Sequence, residues 1–481
     1  MQTLNDHLGL YTDFYELTMA QGYYFSGKKD EQVTFDYFFR TNPYDGGYLV
    51  FAGLGEVLRL LEHFNYSDSD IEYLKNTGLH PDFVKYLRDF RFSGKIISMK
   101  EGEIVFPGEP ILRVEGNIIE SQLIETMLLN FLNFQSLVAT KAFRIKQVSK
   151  TKTFVDFGLR RAHALGGIHA SRAAVIGGAS ATSNVFAGKA FNIPVSGTLA
   201  HSWIQSFDDE LTAFRTFAEV HPQNTVLLVD TYDTLKSGVP NAIRIAKEME
   251  AKGQKMIGIR LDSGDLAYLS KRARKQLDAA GLNYIKIFAS NQLNEHVVKS
   301  LAEQEAPIDA FGIGTEMVTG KPEAALDGVY KLAECNGIPR MKISENIEKV
   351  TLPGKKEVYR YYDEEGFFYR DGILLANEDP DEAEYIYHPH HPEKFTQVSH
   401  LKREKLLQVV YENGKLTDDQ PSLAEIHEYL MARAALLPSE HKRFIKAHIY
   451  KVGISKNLYN LRCELMKKVD SKLCQTEIKP N

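Results

Sequence analysis

The chain has 481 residues, enough for about three domains of ordinary size. Lys and Arg number 58 against 63 Asp and Glu, a formal net charge of −5, which argues against a general nucleic-acid binder because phosphate contacts need a net basic face. With 43% hydrophobic and 25% charged residues, the composition is that of a globular chain rather than a disordered one.

Cys335, Cys463 and Cys474 are too few and too scattered for a disulfide framework or a CxxC metal site, and they fit a reducing cytosol. The N-terminal residues MQTLNDHLGLYTDFYE offer neither a basic start nor a continuous apolar run, so no secretory signal is expected. The longest uncharged apolar stretch, 126–140, is interrupted by Asn130, Asn133 and Gln135 and is shorter than the ~20 residues of a membrane span. It reads as a buried helix, and the chain as a soluble cytoplasmic enzyme.

In chain order, Asp13 followed by Glu16 predicts a capping box opening a helix through TMAQGYYF. GLGEVLRLLEHF has helical apolar spacing, and residues 67–70 offer caps for the next helix. Residues 104–114 read as two short strands around a Pro-Gly turn. A long helical pattern from Glu120 to about Lys150 suits a spine between domains. From Thr153 the pattern turns rhythmic: β-rich runs at 153–157, 225–230, 256–260, 285–290 and 308–314 alternate with amphipathic stretches such as NAIRIAKEMEAKG and LAYLSKRARKQLDAAG, each ending at Gly. This alternation predicts parallel βα units, hence a barrel or a doubly wound sheet. After Lys331 a hairpin is expected over EVYRYYDEEGFFYRDGILL, then helices over PSLAEIHEYLMARAALL and 441–469. The expected domains are 1–150, 151–335 and 336–481.

Polar residues gather just past the strands: Arg160, Asp230, Asp262, Ser263, Ser290, Asn291 and Thr315. That is where a βα barrel or an open α/β sheet builds its site. In GTLAHSW, His201 suits a nucleophile or base near neutral pH, or packs at a helix start. IRLDSGDL concentrates Arg260, Asp262, Ser263 and Asp265 in one turn; a guanidinium suits a carboxylate or phosphate, while one of the acids also suits a helix cap. FGIGTEMVTG places Gly312, Gly314 and Thr315 where backbone N–H groups could approach a phosphate. Asp230 in VDTYDT reads as a strand-end carboxylate for magnesium or ribose, or as an N-cap. Lys141, Arg144, Lys146, Lys150 and Lys152 read as a solvated helix face, and His388, His390 and His391 as an exposed Pro-rich loop rather than a metal site.

Taken together, TDFYELTMA (12–20), FVDFGLRRAH (154–163), GTLAHSW (197–203), IRLDSGDL (259–266), FGIGTEMVTG (311–320) and GVYKL (328–332) strongly resemble nicotinate phosphoribosyltransferases, in family order. The resemblance implies an α/β fold: an irregular, incomplete βα barrel preceded by an α/β sandwich domain and followed by a smaller C-terminal domain. It implies joining nicotinate to phosphoribosyl diphosphate, with ATP as co-substrate and Mg2+ as cofactor, in homodimers whose active sites are shared between subunits. His201 stands at the phosphorylated histidine. Tyr15, Phe157, Thr198 and Arg260 stand at nicotinate-binding positions. Arg160, Gly314 and Thr315 stand at the phosphoribosyl diphosphate, with Thr319 and Lys321 as further phosphate candidates. Asp262 suits the ribose hydroxyls, and Asp230 magnesium and diphosphate. Ala190, aligned through Gly188, falls where nicotinamide-using relatives carry an Asp. Such a relative, or an inactive binding protein on the same scaffold, is the competing reading.

Overall fold

Alternation in the first third of the chain builds part of a sheet, and residues far along the sequence complete it. The computed structural model describes residues 4–344 and 349–476. They form two units, Met1–Leu137 with Ala325–Asn481, and Val138–Ala324. The first unit therefore draws on both ends of the chain, whereas the sequence pattern suggests three successive segments. Ladder hydrogen bonds explain the joining. In an antiparallel seven-stranded sheet, Gln32–Phe39 pairs with Gly328–Cys335 on one side and Leu112–Asn117 on the other, and Lys95–Ser98 pairs with Gln408–Glu412.

A second six-stranded sheet in this unit contains the expected hairpin, Lys356–Tyr362 against Phe368–Leu375, turning at Gly366 with φ +88°. Buried ions tie the two ends of the chain together. Arg360, fully enclosed, contacts Glu103 at 2.6 Å and Asp371 at 2.7 Å, and Arg433 reaches Glu103 at 2.8 Å. Charges so enclosed persist only when paired.

Three local expectations change. Asp13 precedes the helix Phe14–Phe25 but makes no side-chain cap, because the Glu16 carboxylate is engaged by Thr12 and Thr126 instead. The expected helix over 441–469 is interrupted by the strand Val452–Ile454 and begins only at Lys456–Thr476. A Cβ on Gly453 would lie 2.3 Å from Ile386, so this strand packs too closely for any other residue. Among the caps expected over 67–70, Ser67 forms a capping box with Asp70, and a second capping box, Ser422 with Glu425, opens the helix Leu423–Leu436.

The second unit holds six short strands: β1 (Thr153–Asp156), β2 (Ala181–Thr182), β3 (Val226–Leu228), β4 (Gly258–Leu261), β5 (Lys286–Ala289) and β6 (Ala310–Ile313). They run in the order β2-β1-β6-β5-β4-β3, with every neighbouring pair parallel. The α/β class with a parallel sheet is thus realised, and the order leaves β2 and β3 as its edges. Helices Val239–Ala251 and Leu266–Ala279 follow β3 and β4, and Gly253 and Gly281 beyond their ends have φ of +72° and +74°. Lys141 and Arg144 are not on a solvated face: both are buried and bind Glu295 at 2.7 and 3.0 Å. No helix among the described residues is long and apolar enough to cross a membrane.

Candidate active site

Because every strand of the second unit points the same way, the residues just beyond them collect at one end of the sheet. Adjacent strands β3 and β4 bring two carboxylates together. Asp230 Oδ2 accepts the backbone N–H of Asp262 and the hydroxyl of Ser263, each at 2.7 Å. Neither Asp230 nor Asp262 is spent on capping a helix. Asp233 caps the turn Thr234–Gly238, and Asp265 caps Leu266–Ala279 by accepting the N–H of Tyr268 at 3.0 Å. Asp230 Oδ1 is buried without a hydrogen-bond partner.

Arg260 leaves β4 toward Thr198, whose hydroxyl accepts from its Nη1. Its Nη2 is 3.7 Å from Asp262 Oδ1, and its Nε is buried without a partner. Burial lowers the guanidinium pKa; Asp262 and Asp230 oppose this, and Arg160 adds a like charge. Asp262 Oδ1 also accepts the Ser290 hydroxyl from the end of β5.

His201 begins the short helix His201–Gln205. Its Nδ1 lies 3.0 Å from the Thr231 hydroxyl, and its Nε2 3.9 Å from Asp262 Oδ2. One imidazole nitrogen is therefore oriented by the residue after Asp230, and the other faces the second carboxylate. His201, Thr198, Arg260, Asp230 and Asp262 form one connected group.

Phe157 follows β1, and its N–H donates to Ile313 at 2.8 Å. Its ring lies over Gly312, where a Cβ would approach within 2.4 Å. Gly314 is likewise crowded, since a Cβ there would meet the Phe157 carbonyl oxygen at 2.9 Å. The glycines of FGIG thus admit the aromatic loop, a packing demand separate from phosphate approach. Arg160, on the turn Leu159–Arg161, and Thr315 are exposed. The Thr319 hydroxyl is bound to the Thr315 carbonyl at 2.6 Å, and Lys321 to Glu316 at 3.2 Å. Ala190 is exposed on the helix Val185–Phe191.

Beneath Phe157 sits an acid that sequence reasoning missed. Asp156 is fully buried and accepts the N–H of Gly158 at 2.8 Å and the hydroxyls of Ser171 and Thr182 at 2.7 Å. Burial raises its pKa against these hydrogen bonds. It was legible only as one acid inside FVDFGLRRAH, because its hydroxyl donors, Ser171 and Thr182, lie well downstream.

In the first unit, Tyr15 lies on Phe14–Phe25 and is 47% exposed. Burial of its remaining surface and nearby Glu125, Glu16 and Asp13 raise its pKa. The same unit holds a cavity of about 630 Å³ lined by Arg40, Lys331, Lys349, Lys356, His388 and Arg462, another feature no motif announced. The 388–391 histidines form a closed turn, with His388 Nδ1 accepting the N–H groups of His390 and His391 at 3.1 and 3.2 Å. No group of three or more His, Cys, Asp or Glu poised for a metal occurs among the described residues.

Comparison with known proteins identifies the family. Residues 10–133 match the nicotinate phosphoribosyltransferase (NAPRTase) N-terminal domain, and 355–462 match the nicotinate phosphoribosyltransferase C-terminal domain. A nicotinate phosphoribosyltransferase of Bacillus subtilis (strain 168) is 45% identical over 478 residues, covering 98% of this chain and 97% of that protein. Its Caenorhabditis elegans namesake is 37% identical, covering 94% and 92%. The crystal structure of human nicotinic acid phosphoribosyltransferase superposes with a TM-score of 0.84 at 30% identity, covering 95% of this chain and 99% of that one. The chain belongs to the nicotinate phosphoribosyltransferase family.

Proposed function

We propose that the protein joins nicotinate to phosphoribosyl diphosphate, releasing nicotinate mononucleotide and diphosphate, an NAD-forming salvage step coupled to ATP hydrolysis. The observation that carries this reading is the connected group at the ends of β3 and β4, a partly unpaired guanidinium on Thr198 beside two carboxylates. Arg260 and Thr198 bind the nicotinate carboxylate, and the Phe157 ring flanks the pyridine. The pyridine nitrogen donates its lone pair to the anomeric carbon as the bond to diphosphate breaks and its electrons leave with the diphosphate. Asp262 stabilises the positive charge that develops on the ribose. Arg160, Gly314 and Thr315 hold the phosphate end.

Magnesium commonly keeps several waters and takes only one or two carboxylates beside substrate phosphates. A lone strand-end acid with one unpartnered oxygen, Asp230 Oδ1, fits that donor set. Asp230 would hold the ion, which would neutralise the leaving diphosphate.

His201 takes the γ-phosphoryl group of ATP on a ring nitrogen, releasing ADP. Coupling follows if the phosphorylated site favours substrate and product differently. The protein acts as a cytoplasmic homodimer, with Tyr15 of one subunit reaching the pyridine site of the other.

The test is incubation of the purified protein with phosphoribosyl diphosphate, Mg2+ and either nicotinate or nicotinamide, with and without ATP, and chromatography of the nucleotides. Faster nicotinate mononucleotide formation, stimulated by ATP, is expected. Equal or faster use of nicotinamide overturns the substrate assignment.

A further inference from the structure

The N-terminal motif is fastened by hydrogen bonds that call for one proton more than the neutral groups provide. Glu16 has no exposed surface, although it adjoins the half-exposed Tyr15. Its Oε1 accepts the backbone N–H of Thr126 at 2.9 Å and contacts the Thr126 hydroxyl, while Oε2 accepts the Thr12 hydroxyl. The same Thr126 Oγ1 lies 3.0 Å from Asp13 Oδ2 and accepts the Asp13 backbone N–H at 3.3 Å. A threonine hydroxyl carries one proton and can donate to only one of the two carboxyl groups. For both contacts to be hydrogen bonds, one carboxyl group must bring a proton of its own. Asp13 is exposed and Glu16 enclosed, so desolvation assigns that proton to Glu16. Burial pushes the Glu16 carboxyl up to about 7, with Glu125 adding to the rise and the bonds from Thr12 and Thr126 opposing it.

The charged and titratable groups around it are Asp13 on the same segment, Glu125 at the start of the helix Glu125–Ser149, and the hydroxyls of Tyr15, Tyr66 and Tyr330. Lys331 acts on Glu125, and Asp70, paired with His7, acts on Tyr66. The charge of Glu125 acts on the Tyr15 hydroxyl and, with burial, raises its pKa. Tyr15 therefore sits between Glu125, which acts on its hydroxyl, and its neighbour Glu16, whose side chain ties residues 12–16 to Thr126.

We infer that Glu16 is a positioning residue for Tyr15 that makes pyridine binding pH-dependent: protonated, it latches residues 12–16 to the Glu125–Ser149 helix, and ionised, it adds a third carboxylate charge beside Asp13 and Glu125 and loosens them. The inference rests on the proposed role of Tyr15 at the pyridine.

The experiment measures KM for nicotinate between about pH 5.5 and about pH 8.5 at saturating phosphoribosyl diphosphate and ATP, in wild type and Glu16→Gln. The amide oxygen retains the acceptor for the Thr126 N–H and hydroxyl, the NH2 faces the Thr12 hydroxyl, and the side chain carries no charge at any pH. Wild-type KM should rise roughly 3- to 10-fold through neutrality, and Glu16→Gln should keep the low value throughout. Asp13→Asn, which supplies the missing proton from another side chain, should move the step to lower pH. Infrared difference spectra should show a carboxylic-acid band in wild type that disappears through neutral pH and is absent from Glu16→Gln. An unchanged KM step in Glu16→Gln, or no such band in wild type, overturns the inference. If no nicotinate mononucleotide forms at all, the functional reading fails, while the infrared band still decides where the proton resides.

Discussion

Replacing Arg260 with Met tests the recognition of the substrate carboxylate most directly. The Arg260 side chain is 14% exposed, and the apolar stem of Met fills much of the same space. Of the three guanidinium nitrogens, Nη1 is committed to Thr198, Nη2 stands 3.7 Å from Asp262 and Nε has no partner. Nη2 is thus the position available to a bound carboxylate. A hydrogen bond to a charged group contributes about 1.5–3 kcal/mol, so losing one raises the nicotinate KM by roughly 10- to 150-fold. Nicotinamide has no carboxylate to lose, so its already poor use should change by no more than about 3-fold. Initial rates with each pyridine at saturating phosphoribosyl diphosphate, on protein whose thermal melt matches wild type, give the comparison. Equal losses for nicotinate and nicotinamide would refute the reasoning and leave Arg260 a structural partner of Thr198.

His201→Ala should retain basal nucleotide formation but lose ATP stimulation and the acid-labile label acquired from γ-labelled ATP; stable labelling of the variant would exclude His201 as the acceptor. Gly312→Ala places a Cβ 2.4 Å from the Phe157 ring and should raise the nicotinate KM about 10-fold and cost about 1–3 kcal/mol of stability, which steady-state kinetics and a denaturant titration will check. Subunits carrying Tyr15→Ala, mixed and exchanged with subunits carrying Arg260→Ala, should recover part of the activity that each lacks alone. No recovery after proven exchange points to a site within one chain. Glu16, raised from an ordinary 4.5 to about 7, favours the folded state most below pH 4.5 and loses that contribution as pH rises through about 7. Wild type should therefore lose at most about 3 kcal/mol relative to Glu16→Gln between about pH 4 and about pH 8, measured by denaturant titration.

What the sequence made legible was what its local pattern encodes. Apolar runs ending in polar residues marked β1 and β3 to β6, and the same runs placed Asp230, Asp262 and Ser290 at strand ends. The edge strand β2 has only two residues and no pattern to read. Lys141 and Arg144 looked like a solvated face because their partner, Glu295, lies some 150 residues away. Asp13 and Glu16 had capping-box spacing, but the acid was drawn to Thr126, a competitor that no local rule contains. The role of Thr231 in orienting His201, and the assembly of the first unit from both ends of the chain, are likewise matters of distant pairing. Motif order carried the family; the hydrogen bonds among the motifs required the fold.

Those hydrogen bonds explain how two acids can stand side by side at β3 and β4. Like charges on neighbouring strands repel, and burial sharpens the repulsion. Here one oxygen of Asp230 is neutralised by the Asp262 N–H and the Ser263 hydroxyl, and one oxygen of Asp262 by Ser290. Arg260, 3.7 Å from Asp262 and hydrogen-bonded to Thr198, offsets one of the two negative charges and leaves the other. Negative potential is therefore preserved at the carboxylates, where the proposed reaction develops positive charge on a ribose carbon. A site built only to bind a nucleotide would gain from cations throughout, because its ligand is an anion. A carboxylate pair that keeps a net negative charge is instead what a transferase needs, since it stabilises the transition state more than the bound polyphosphate and so lowers the barrier rather than only tightening binding.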